Sequence, residues 1–346
     1  MNQNFWLTEI ERQSMSTVNR RSMFAVVSLM ALTGSLIPVA AQATPAAPAD
    51  DKVVVHEFQG QQDAASYWTK ARMQKAKDLT KTKSAKASGT TKQEKLPPAV
   101  IPGKSPKKAV ANATSPLTRA SAKAVREKPL PTIGKVFFTV NGEDYVCSAN
   151  SVNSKNSSTV STAAHCVNER GRYANRFIFV PAYENGEAPY GKWTAINAFA
   201  PSDWIRSEEM EVDTAFVIVG KRNGQTLADT VGATGVAFNQ ARGLKYKAFG
   251  YPAGKPYDGE KLWSCTGTAI PDKYAPEGQA QGIPCGMTGG SSGGPWFMGG
   301  KYTGTSSVQN SVNSYGQDLM PDYMFGPYWG SIIQQTYNKA SNASGR

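Results

Sequence analysis

The chain has 346 residues, 40% hydrophobic and 18% charged, with a formal net charge of +12. The charge is concentrated: residues 44–130 carry 17 Lys+Arg against 7 Asp+Glu, whereas residues 131–346 carry 18 against 17. A near-neutral C-terminal two thirds excludes the basic stripe that nucleic-acid binding requires, and the hydrophobic fraction excludes a wholly disordered chain.

Residues 1–43 read as an export signal. Arg20 and Arg21 precede the apolar run "MFAVVSLMALTGSLIPVAA", Met23–Ala41, and Ala41-Gln42-Ala43 has the small-residue pattern of a cleavage site. The run is long enough to span a bilayer as an uncleaved anchor, but Thr33, Gly34, Ser35 and Pro38 favour cleavage. Export places the protein outside the cell.

Residues 44–130 are poor in large apolar side chains and rich in Lys, Ala, Ser, Thr and Pro. This composition predicts a mostly disordered linker or pro-segment. One island, "DAASYWTKARMQKAKDL" at 63–79, has helix-forming composition. Its basic face could meet an anionic cell-wall polymer, although a merely solvated face explains it as simply.

From Pro131 the texture changes to short β-rich runs between Gly/Asn/Ser/Pro turns: "KVFFTV", "RFIFVPAY", "TAFVIVG", "LKYKAFGY" and others. Their spacing predicts an all-β sandwich or barrel over 131–346, with one helix at 328–340. The four cysteines all lie between positions 147 and 285. In an oxidising compartment they read as two disulfides. Of three connectivities the sequence-local one, Cys147 with Cys166 and Cys265 with Cys285, is expected. A metal site would need Cys-x-x-Cys or nearby His spacing, which is missing, so no metal and no cofactor are predicted.

Three stretches could do chemistry. "STAAHC" ends a β-branched strand at His165, the one histidine of the β-rich region; the other, His56, lies in the basic segment. "EVDTAFVIVG" puts Asp213 at the mouth of an apolar strand, where a carboxylate is costly unless something donates hydrogen bonds to it. "CGMTGGSSGGPWF" sets Ser291 and Ser292 among glycines. A serine hydroxyl needs a base in reach, and the base needs an orienting group. His165, Asp213 and Ser292 supply one of each, and the N–H groups of Gly290 and Ser292 could face an oxyanion.

"TAAHC", "DTAFV" and "GSSGGP" resemble the three signatures of chymotrypsin-like (trypsin-fold) serine proteases, in that family's order of His, Asp, Ser. The resemblance covers about residues 131–340, and "YWTKARMQKAK" resembles presegments of secreted bacterial members. It implies two six-stranded antiparallel β-barrels, placed near 131–222 and 236–325, with the reacting groups in the cleft between them. It also implies that Cys147 and Cys166 bracket the histidine loop, and that the chain is an endopeptidase acting on proteins or peptides through an acyl-enzyme. Many animal relatives carry aspartate where Ser291 falls, and pair it with a freshly cut amino terminus; Ser291 cannot form that ion pair. The primary pocket of the family would fall near Gly286 and Met287, with no acid. The strand Tyr302–Val308 would line it and bring Ser306 or Ser307 near Asp213. An uncharged substrate side chain is the expectation, and a monomer.

Two rivals are weaker. Gly290–Gly294 fits the G-x-S-x-G of α/β-hydrolases, but that fold needs its histidine after the serine, and none follows position 165. A catalytically inactive barrel used for binding or adhesion at the cell surface is the other alternative; a complete set of reacting residues disfavours it.

Overall fold

The computed structural model describes residues 52–79, 82–83, 91–108, 110, 114–116, 120–275 and 279–344. The export signal expected at 1–43 lies outside the described residues.

The strands Ile133–Val140, Glu143–Val152, Thr159–Thr162, Asn175–Pro181, Trp193–Pro201 and Ala215–Val219 pair antiparallel into a closed six-stranded barrel. Its first hairpin turns at Asn141-Gly142, both at positive φ, the backbone that a tight two-residue turn demands. The period-2 alternation of side chains lets one strand serve two cores. Val136 and Phe138 of Ile133–Val140 point into the barrel, while Ile133 and Phe137 join a second cluster with Phe249, Tyr251, Leu262 and Phe297 of the following half. That cluster is the seam between the halves.

The second half is all-β as well, but its hydrogen bonding divides into two sheets. In one, Gly235–Phe238, Val308–Val312, Pro295–Met298, Lys245–Gly250 and Trp263–Thr268 are neighbours; in the other, Ala280–Pro284, Met320–Pro327 and Tyr315–Gln317. Both expected disulfides are formed. Cys147–Cys166 ties Glu143–Val152 to the turn that carries His165, and Cys265–Cys285 links the two sheets of the second half. The C-terminal helix, Ser331–Asn342, starts three residues later than expected and lays Ile333, Tyr337 and Ala340 in the same cluster as Phe216 and Trp329.

The segment 44–130 differs from its expectation. Its described parts form structure on the protein rather than a free linker. Val53–Glu57 pairs with Trp193–Pro201, Ala99–Ile101 with Gly235–Phe238, and Ser121–Arg126 with Trp263–Thr268. The island at 63–79 becomes two short helices, Ala64–Tyr67 and Lys70–Lys75, broken at Trp68-Thr69. Trp68 is fully buried in the seam cluster, and its Nε1 donates to Arg176 O at 2.6 Å. The basic residues of the segment find acids on the rest of the chain: Lys70 with Glu187, Arg72 with Asp144, Lys77 with Glu143, Lys104 and Lys107 with Asp229, and Arg126 with Glu184. Composition predicts disorder because the segment has no core of its own. Its described parts are ordered by backbone pairing with strands that composition does not show.

Candidate active site

Thr159–Thr162 ends in a single 3-10 turn, Ala164–Cys166, tied down by the Cys147–Cys166 bridge. The small Ala163 and Ala164 leave room for the His165 ring, which is buried. Opposite, Asp213 sits just before Ala215–Val219, on the strand that pairs with Thr159–Thr162. This pairing carries the two side chains to each other: His165 Nδ1 lies 2.7 Å from Asp213 Oδ2, and His165 N–H donates to Asp213 Oδ1 at 2.9 Å. Ser314 Oγ donates to the same Oδ2 at 2.5 Å. Burial alone would raise the Asp213 carboxyl. The His165 charge and hydrogen bonds, with the Ser314 hydroxyl, overcome it and hold the carboxyl below its ordinary range. His165 Nε2 is buried without a hydrogen-bond partner among the described residues, so the face of the ring turned away from Asp213 is available.

Ser292 approaches from the second half. Its own carbonyl accepts from Ser148 N–H at 2.7 Å. Gly293 lies so close to Thr162 and Ala163 that a Cβ there would stand 2.2 Å from Thr162 Oγ1, which sets the serine loop against the strand leading to His165. Ser314, the residue touching Asp213, lines the same pocket as Ser292. Gly290 has φ +89°, and a Cβ on it would fall 2.8 Å from Tyr251 O; only glycine fits. Ser292 and Ser314 line one pocket, and Ser314 bonds to the Asp213 carboxylate that holds His165; a serine hydroxyl is activated for acyl transfer by an imidazole that a carboxylate orients.

The pocket beside Ser292 has a volume of about 210 Å³ and is lined by Met287, Pro321, Tyr323, Met324 and Gly316, among others. Its one charged lining residue is Asp78, from the basic segment. Of the residues expected from sequence, Met287 lines it. Gly286 does not; its N–H is engaged by Ala122 O. Ser306 is exposed, and Ser307 Oγ accepts from Thr303 N–H, away from Asp213. The turn at Gly304, φ +68°, delays the strand to Val308–Val312. Ser314 takes the place expected for Ser306 or Ser307. No local sequence feature marks Ser314, whose partner Asp213 lies 101 residues away.

No family model and no curated protein sequence matches the chain. Solved structures do. Protease Anisep from Arthrobacter nicotinovorans is 58% identical, with TM-score 0.61, over 64% of this chain and all of that one. The thermostable serine protease AL20 from an extremophilic microorganism is 49% identical, with TM-score 0.58, over 62% of this chain and 98% of that one. A Glu endopeptidase solved with MPD is 18% identical, with TM-score 0.50, over 64% and 97%, a likeness of fold alone. The chain belongs to the chymotrypsin-like, trypsin-fold serine proteases and is a serine-type endopeptidase.

Proposed function

We propose that the chain is a secreted, latent serine endopeptidase whose reaction runs through Ser292, His165 and Asp213. Ser292 Oγ attacks the scissile carbonyl while His165 Nε2 takes its proton. Asp213 remains a carboxylate, fixes the imidazole tautomer by accepting from Nδ1–H, and stabilises the imidazolium. The oxyanion is met by Gly290 and Ser292 N–H. Collapse of the tetrahedral adduct passes the proton from His165 to the leaving amine and leaves an acyl ester on Ser292. Water, deprotonated by His165, then releases the acid and restores the hydroxyl. The observation that supports this reading is the doubly held Asp213–His165 pair, linked through Ser314 to the pocket that Ser292 lines.

The substrate side chain entering the pocket is uncharged and of middle size, because Met287, Tyr323 and Met324 line it and its single charge is lent by Asp78. Latency rests on the segment 44–130 as a pro-segment. Lys77–Asp78 pairs with Tyr145-Val146, Thr82–Lys83 pairs with Gly316-Gln317, and both Asp78 and Gly316 border the Ser292 pocket. Residues 77–78 and 82–83 therefore lie beside the substrate cleft and must leave before a protein chain can enter. Export through residues 1–43 agrees with two disulfides, which persist in oxidising compartments.

A fluorophosphonate probe tests the site. The activated protein labels at Ser292. Ser292→Ala abolishes labelling and lowers kcat by about six orders of magnitude, whereas Ser291→Ala, which loses only a bond to Thr288 O, costs about tenfold or less. Equal loss in both variants contradicts the assignment.

A further inference from the structure

Four consecutive carbonyls of the serine loop each meet a separate donor. Ala253 N–H reaches Gly289 O at 2.7 Å, and Ser148 Oγ reaches Gly290 O at 2.9 Å. Asn313 Nδ2 reaches Ser291 O at 3.0 Å, and Ser148 N–H reaches Ser292 O at 2.7 Å. In a planar trans peptide the N–H points opposite to the C=O. Pinning Gly289 O therefore aims the Gly290 N–H, and pinning Ser291 O aims the Ser292 N–H. These are the two amides assigned above to the oxyanion. Pinning Gly290 O fixes the peptide between them.

Two of these donors are side chains, Ser148 Oγ and Asn313 Nδ2, and both residues are fully buried; Ser291 O also accepts from Gly294 N–H at 3.0 Å. Ser148 Oγ also accepts from Tyr251 N–H at 2.8 Å. Asn313 Nδ2 also donates to Phe249 O at 2.8 Å, and its Oδ1 accepts from Trp296 Nε1 at 2.7 Å. Neither can rotate without leaving a buried polar atom unpaired, which costs more than the bond itself contributes. Ser291, where animal relatives carry the aspartate of an ion pair, is neutral and donates to Thr288 O at 2.7 Å. The four bonds named above join uncharged groups only.

We propose that Asn313 and Ser148 are positioning residues that hold the oxyanion loop in its working geometry by a neutral hydrogen-bond cage, so that the loop needs no new amino terminus to take shape. The proposal rests on the assignment of Ser292 as nucleophile. Asn313 aims the Ser292 amide directly; Ser148 locks the peptide before it and, through its own N–H, the one after.

The test uses the full chain, activated identically for each variant. Asn313→Ala and Ser148→Ala are compared with wild type for kcat, KM and affinity for a peptide boronate, whose tetrahedral adduct carries its oxygen in the oxyanion site. Peptide affinity is also measured in the Ser292→Ala background, where no adduct forms. A misaimed amide retains part of its effect, so kcat and boronate affinity should each fall about ten- to a hundredfold. KM and peptide affinity in the Ser292→Ala background should stay within about twofold. Ser148→Cys is slightly larger and weakens both the donor to Gly290 O and the acceptor of Tyr251 N–H; it gives the same pattern, smaller, and decides the matter for Ser148 if its alanine variant fails to fold, as Asn313→Ser does for Asn313. Folded variants with unchanged kcat and boronate affinity overturn the proposal, and so does a parallel loss of peptide affinity, which marks a merely structural role. Failure of the wild type to label at Ser292 would instead remove the nucleophile assignment.

Discussion

Asp213 is where the chemistry of single residues is most exposed to test. It accepts from His165 Nδ1, His165 N–H and Ser314 Oγ with no exposure to solvent. Asp213→Asn keeps the shape but presents an amide to the ring and favours the wrong tautomer. A fall in kcat of about four orders of magnitude at neutral pH is expected from steady-state kinetics, and retention of more than a tenth of the activity would contradict the role. A second buried charge lies on the strand beside Ser148. Lys135 is sealed under the seam, its Nζ donating to Gly259 O at 2.9 Å with the rings of Phe137 and Tyr183 beside it. Burial pushes its ammonium down to about 8, against the pull of Glu260 and Asp258. Between that value and the ordinary lysine range the unfolded chain holds a proton that the folded one has released, so stability rises with pH across this window. The Tm of the wild type relative to Lys135→Met should therefore climb from pH 8 to pH 10; parallel curves would show that Lys135 is not the cause. Ser148, Asn313 and Ser314 were not legible in the sequence. They are ordinary polar residues in or after strands, and their partners arrive from positions about 20 to 140 residues away. His165, Asp213 and Ser292 were legible because each sits in a local pattern that its chemistry requires.

Elements were legible where hydrophobic period and turn residues act locally. The β-rich runs and the terminal helix are where the sequence puts them, and the one misplaced strand, Tyr302–Val308, fails because Gly304 turns the chain first. The segment 44–130 reads as disordered because the order of its described parts is borrowed. Val53–Glu57, Ala99–Ile101 and Ser121–Arg126 complete sheets through backbone bonds, while Trp68 fills the seam between the halves. Trp68 anchors the residues that lead to Lys77–Asp78 at the cleft. Trp68→Ala should weaken docking of the segment by about 3–5 kcal/mol. Limited proteolysis should then cut residues 52–79 sooner, and fluorophosphonate labelling of the unprocessed chain should quicken. Unchanged labelling with faster cutting would separate the anchor from the block.

The charge of the whole molecule changes meaning once the fold is known. A basic segment and a near-neutral domain resemble a protein with an anion-binding arm, yet the described basic residues from Lys70 to Arg126 named above meet acids of the same chain. Exposed pairs contribute little to stability, so together they guide a docked segment that can still be removed. The central claim is that the cleft makes a covalent ester on Ser292. Rapid quenching of the activated protein with a slow ester substrate, followed by peptide mass measurement, tests it most directly. The account predicts one acyl mass on the peptide bearing Ser292, absent in Ser292→Ala and persistent in proportion to the substrate's deacylation half-life. Turnover with no acyl mass, or with the acyl group on another residue, would contradict it.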